Sequence, residues 1–332
     1  MNAVVTGCAG FIGSHLVERL LSHGGAVVGI DNLLTGRDTN IRRLLGYANF
    51  ASITEDIAVP SNVVALVGEH IDSIDTVFHL ASPASPIDYQ RFPLETLVAN
   101  SRGTEHAVYL ANRFHARLIL ASTSEVYGDP RLHPQREDYW GNVNPIGPRA
   151  CYDEGKRYAE ALVASAHRVG LIDAAIVRIF NTYGPYMRLD DGRVIPTFVG
   201  QALRGEALSV YGHGEQTRSF MYIDDLIDAL VRVASIPLGG EMIVVNVGNP
   251  AETSIRSLAS LVASLAGVPL KITEAPLTQD DPQRRKPDIR RARAILDWEP
   301  RVGLVDGLRA TIQHFRKELG GDETIPERRR AV

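Results

Sequence analysis

Apolar positions recur along the first half of the chain in two alternating rhythms. Short strand-like runs, most with an apolar centre, stand at residues 2–7 ("NAVVTG"), 26–31 ("AVVGID"), 50–57 ("FASITEDI"), 75–82 ("DTVFHLAS"), 116–122 ("ARLILAS") and 174–184 ("AAIVRIFNTYG"). Runs of that length without polar alternation predict strands buried on both faces. Between them, apolar residues return every three or four positions. This predicts helices over residues 11–24, 94–114 and 151–170. Strand and helix in strict alternation predict a parallel, doubly wound α/β sheet of the Rossmann type, with helices on both faces. Such sheets take ligands at the carboxyl ends of their strands.

The rhythm loosens after about residue 185, where short strands over 208–212, 242–248 and 270–275 sit among helices and Pro/Gly-rich connections. We therefore expect residues 1–185 to form a nucleotide-binding domain. Residues 186–319 are expected to form mainly a smaller α/β substrate lobe, with some exchange of chain between the two, and residues 320–332 a polar tail. At 332 residues the chain has ample length for a buried core. The net charge of −4 gives no basic field for nucleic acid, and no apolar run reaches the length of a membrane span. The first residues lack the build of a signal peptide, and two cysteines, Cys8 and Cys151, are too few for a disulfide framework. A cytoplasmic protein is expected, with no metal site.

Two clusters carry chemistry. Gly7, Gly10 and Gly13 follow the first strand and open the first helix. Glycines there allow a tight turn, a close approach of backbone to a pyrophosphate and close helix–strand packing. The helix N-terminus then presents free N–H groups to the phosphates. Asp31 ends the second strand, where an acid binds ribose hydroxyls and disfavours a 2′-phosphate, so NAD is the expected cofactor. Further on, Tyr152 and Lys156 lie four apart, on one face of a predicted helix. A nearby lysine cation is expected to lower the phenol's pKa and make it a general base. A stretch of hydroxyls and a carboxylate, Thr123, Ser124 and Glu125, closes the fifth strand.

The G-x-x-G-x-x-G spacing, the Tyr-x-x-x-Lys pair and Thr123 one strand earlier resemble the extended short-chain dehydrogenase/reductase superfamily. By that resemblance Thr123 orients a substrate hydroxyl against Tyr152. The cofactor set extends to Phe11, Ile12, Asn32, Asp56, Ile57, Leu80, Ser82, Thr182 and Arg193. Longer runs, "STSEVYGDP", "HLASPASPIDYQRFP", "RIFNTYGPYMRLDDGRV" and "DDPQRRKPDIRRARAILDWEP", resemble the UDP-glucuronate decarboxylases from Val4 to about Leu319. Tyr186 and Arg188 depart from the residues expected there. The resemblance implies a bound UDP-sugar, touched by Tyr89, Ser124, Asn181, Val210, Tyr211, Gln216, Arg218 and Arg285, with Glu125 and Arg285 also in the catalytic set. Glu125 is expected either to position a proton-donating water or to repel the substrate carboxylate. The implied reaction oxidises C4, loses CO2 from the β-keto acid, protonates C5 and returns the hydride, giving UDP-xylose. Another nucleotide-sugar 4-epimerase or 4,6-dehydratase stays open as an alternative, as does a non-catalytic NAD-binding regulator. A homodimer is implied too, through a four-helix bundle of residues 93–114 and 148–169.

Overall fold

The computed structural model describes residues 1–59, 63–276 and 284–320. The nucleotide half runs β1 (Ala3–Thr6), α1 (Phe11–Ser22), β2 (Val27–Ile30), α2 (Asp38–Arg42), β3 (Phe50–Ile53), α3 (Val63–Gly68) and β4 (Thr76–His79). It continues with α4 (Pro86–Arg91), α5 (Pro93–Asn100), α6 (Arg102–Phe114), β5 (Arg117–Thr123), a 3-10 turn (Ser124–Tyr127), α7 (Ala150–Arg168) and β6 (Ala174–Ile179). Then come β7 (Thr182–Tyr183), α8 (Val194–Leu203), β8 (Leu208–Tyr211), β9 (Thr217–Ser219), β10 (Met221–Tyr222), α9 (Ile223–Ser235) and β11 (Ile243–Val247). The chain closes with β12 (Glu252–Ser254), α10 (Ile255–Ala266), β13 (Ile272–Ala275), β14 (Arg284–Arg285), α11 (Arg290–Leu296) and α12 (Leu304–Gly320).

Seven strands make one parallel sheet in the order β11-β6-β5-β4-β1-β2-β3. Because successive side chains point to opposite faces, each apolar strand feeds two layers. Ala3 and Val5 enter one core and Val4 the other; Ile119 joins the first, Leu118 and Leu120 the second. This two-sided burial is why most of the strands read as runs with an apolar centre.

Two expectations change. The helix predicted over 94–114 is kinked at Ser101 (φ −99°, ψ −82°), between α5 and α6. Asn100 there turns its side-chain amide back to the Thr96 carbonyl and across to Ser82 Oγ, both at 2.8 Å, competing with the helical ladder. The strand read over 242–248 does not belong to the small lobe. As β11 it pairs with β6 and becomes an edge of the main sheet, because Val245 and Val247 find full burial there. The small lobe keeps the pairs β8–β13 and β7–β10 and the three-stranded β12-β9-β14. Of the predicted tail, residues 321–332 lie outside the described residues, as do residues 280–283 of the "DDPQRRKPDI" run. Among the described residues no helix is long and apolar enough to cross a membrane.

Candidate active site

The glycine turn forms because nothing larger fits. Gly7 has φ +73°, and a Cβ on it would lie 2.9 Å from the Ala81 nitrogen; one on Gly13 would lie 2.1 Å from the Gly7 carbonyl oxygen. Asp31 leaves β2 and closes the same loop. Its carboxylate accepts from the Ala9 N–H at 2.9 Å and the Leu33 N–H at 2.8 Å. Asn32 donates to Asp56 at 3.0 Å, tying the loops after β2 and β3 together.

A cavity of about 310 Å³ opens between these loops, lined by Gly7, Gly10, Asp31, Asn32, Asp56 and Ile57, and on the β4 side by Leu80 and Ser82. These residues fit a dinucleotide: the cradle is one that any Cβ would fill, and the acid stands at its far end. Leu34, Thr35, Glu55, Pro83, Glu95 and Val98 line the same cavity. The sequence reading missed them because they lie in loops and a helix face without a motif. Phe11, Ile12 and Gly13 do not line it. Phe11 packs edge-on against His15, Ile12 against the core, and Gly13 against the turn. Thr182 is buried with its hydroxyl on the Phe180 carbonyl, and Arg193 is paired with Asp191. His79 is a core histidine: its ring nitrogens meet Thr6 and Thr104, and burial with the Lys156 charge holds its pKa down to about 3.

Thr123 ends β5 and Tyr152 sits in the first turn of α7, where the Thr123 hydroxyl bears on the phenol. Lys156, one turn on, has its Nζ 5.9 Å from the centre of the Tyr152 ring. The expectation that Lys156 lowers the phenol's pKa is corrected here. Burial outweighs the Thr123 hydroxyl and pushes Tyr152 up to about 12. The Lys156 ammonium instead donates to the Ala121 carbonyl at 2.9 Å, and burial lowers its own pKa to about 8.

Glu125 explains the polar close of β5. Its carboxylate is bound by Arg285, through Nη1 to Oε1 and Nη2 to Oε2, the latter at 3.0 Å. It is bound also by Arg149 Nη2 at 2.6 Å. Burial raises a carboxyl's pKa, but the two guanidinium groups overcome it and hold Glu125 well below the usual range. Arg285 reaches this place because β14 runs parallel to β9 while the flanking backbone is clamped by Gln135. Gln135 Oε1 accepts from Lys286 N at 2.8 Å, and its carbonyl accepts from Asp288 N at 2.9 Å. Arg149 was missed; its one signal is a cation just ahead of the Tyr-x-x-x-Lys helix. Asp153, beside Tyr152, is also buried, and burial with the Glu125 charge raises its carboxyl.

Tyr89 and Ser124 are buried beside this centre, and Asn181 holds the Met221 N–H with its carbonyl at 2.9 Å. Arg218 is buried on β9, adjacent to Arg285. Gln216 donates to the carbonyl of the half-exposed Tyr211. Val210 differs from expectation. Strand alternation turns its side chain wholly into the core, against Gly214.

The model of the NAD dependent epimerase/dehydratase family matches residues 3–248. The chain is 49% identical over 316 residues to UDP-glucuronic acid decarboxylase 1 of Xenopus tropicalis, covering 95% of this chain and 72% of that one. It is 47% identical over 323 residues to UDP-glucuronic acid decarboxylase 4 of Arabidopsis thaliana, covering 97% and 70%. Among solved structures it resembles UDP-glucuronic acid 4-epimerase from Bacillus cereus in complex with UDP-glucuronic acid and NAD. The TM-score is 0.85 at 30% identity, with 96% and 100% of the two chains covered.

Proposed function

The chain belongs to the NAD dependent epimerase/dehydratase family, and on that premise we propose that it converts UDP-glucuronate to UDP-xylose and CO2. The observation that carries this reading is the buried Glu125–Arg285 pair next to Tyr152. A dehydratase needs a second carboxyl beside Glu125, and Ser124 stands there. The near-half identity to decarboxylases from a frog and a plant supports the same choice.

Tyr152, beside the Thr123 hydroxyl, takes the proton from the C4 hydroxyl. NAD, when bound, supplies the hydride acceptor for C4, a positive ring charge, and the hydride that is later returned. The resulting C4 ketone is β to the C5 carboxylate, so C–C cleavage sends its electron pair into an enolate and releases CO2. Protonated Tyr152 then donates a hydrogen bond to the enolate oxygen. C5 takes a proton at the face where Glu125 lies. Of the two roles considered for Glu125, positioning is favoured, since two guanidinium groups cancel the repulsion it would exert on the substrate carboxylate. Asp31 fits the ribose and Arg218 the diphosphate.

We also read the protein as a cytoplasmic homodimer of two-lobed subunits, lobes meeting near residue 185. Exposed Leu97, Tyr109 and Tyr158 on α5, α6 and α7 support a pairing face there.

The test mixes purified protein with UDP-glucuronate and NAD and follows the sugar by mass spectrometry. Loss of one CO2 without accumulating NADH is expected. An unchanged mass, in protein that binds NAD, overturns the assignment; inversion at C4 without CO2 loss assigns an epimerase.

A further inference from the structure

We infer that Arg149 is the standing counter-cation of Glu125, a positioning residue that keeps this carboxylate ionised and aimed at the sugar while Arg285 turns to the substrate. The inference rests on the reaction proposed above.

Two guanidinium groups share one carboxylate, and they come from different bodies. Glu125 lies in the 3-10 turn after β5, and Arg149 directly precedes α7. The Arg149 carbonyl accepts from the Tyr152 and Asp153 N–H groups, each at 3.0 Å. Its side chain and its backbone thus tie Glu125 to the helix start that carries the catalytic phenol. Arg285 comes from β14, which pairs with β9 in the small lobe, and the residues after it are clamped by Gln135 of the nucleotide half. The Glu125–Arg149 contact therefore lies within the nucleotide lobe, whereas the Glu125–Arg285 contact crosses between lobes.

The two contacts also differ in what they leave free. Among the described residues Arg285 Nε is buried without a hydrogen-bond partner, so its guanidinium keeps a donor for a second acceptor. Side-chain exposures of 13% for Arg149 and 14% for Glu125 leave water little room to replace a lost cation. A carboxylate so placed would take up a proton if Arg285 turned away and Arg149 were absent. The other groups near Glu125 cannot substitute. Tyr152 and Asp153 on α7 and Tyr89 on α4 are neutral or acidic, and Thr123 is a hydroxyl; Arg193, which bears on Tyr152, is engaged by Asp191.

The experiment measures kcat and KM for UDP-glucuronate from pH 5.5 to 9 in the wild type, Arg149→Met, Arg149→Lys, Glu125→Gln and the Arg149→Met/Glu125→Gln double variant. In Arg149→Met the acid limb of kcat is expected to rise from below this range into it, costing about tenfold at pH 5.5. Activity should recover to within roughly threefold of wild type at high pH, with KM changed less than about threefold. Arg149→Lys should restore the limb, and the double variant should show no Arg149-dependent limb at all. A loss of equal factor at every pH, or a limb that lysine fails to restore, overturns the inference. Melting temperatures without substrate give a second readout. The deficit of Arg149→Met should shrink as pH falls and Glu125 takes its proton; a deficit independent of pH counts against the pairing. If the wild type releases no CO2, the proposed reaction fails and the role toward the sugar with it, while the melting series still decides whether Arg149 holds Glu125 ionised.

Discussion

The ring of Tyr89 lies flat on that of Tyr152, with centroids 5.2 Å apart and planes 7° from parallel. The stack fixes the plane of the Tyr152 phenol, and among the described residues the Tyr89 hydroxyl is buried with no hydrogen-bond partner. A buried orphan hydroxyl costs about 1–3 kcal/mol. Tyr89→Phe should keep the stack and melt no lower than wild type. If that hydroxyl meets the sugar, KM rises about tenfold, the worth of one lost hydrogen bond. An unchanged KM would remove Tyr89 from the substrate contacts.

Tyr152→Phe keeps the ring and the stack but removes the only proton acceptor proposed for the C4 hydroxyl. Turnover should fall by at least about a thousandfold, while NAD titrated by fluorescence still binds. Retention of a tenth of the wild-type rate would show that another group takes the proton.

Lys156 sets a pH dependence with a definite sign. Its native pKa is lowered to about 8 by burial, below its ordinary value of 10.5. Between those values the unfolded chain binds the proton and the native chain does not. Stability of the cofactor-free protein should therefore rise with pH through this window. Melting curves at pH 7.5 and 9.5 should show the gain, and Lys156→Met should flatten it. A parallel gain in the variant would assign it to other groups.

The glycine turn tolerates no Cβ at Gly13, which would lie 2.1 Å from the Gly7 oxygen. Gly13→Ala should cost about 1–3 kcal/mol through displaced backbone and abolish measurable NAD binding. Asp31→Ser is milder. It should weaken NAD and narrow its advantage over NADP, since the acid that repels a 2′-phosphate is gone. Calorimetric titration with both cofactors reads the ratio.

The sheet was legible in the sequence because burial on both faces leaves no polar alternation, a pattern local to each strand. The glycine turn, Asp31 and the Tyr152–Lys156 pair were legible for the same reason: each depends on short spacing and on helix or turn geometry. Local order did not reveal the electrostatics. Lys156 stands one turn from Tyr152, but its ammonium bonds the Ala121 carbonyl on the neighbouring strand, and burial decides the phenol's proton affinity. Nor did it show β11 returning to the main sheet, or Val210 turning inward. The charge centre lay furthest from view. Glu125 is separated from Arg149 by 24 positions and from Arg285 by 160. A carboxylate's state is set by the charges within a few ångströms and the water it has lost. Residue types and their spacing determined that the glycine turn, Asp31 and the Tyr152–Lys156 helix share one sheet edge. Only tertiary packing, of the start of α7 against the end of β5 and of the second lobe against that edge, decided which cations hold the carboxylate beside them.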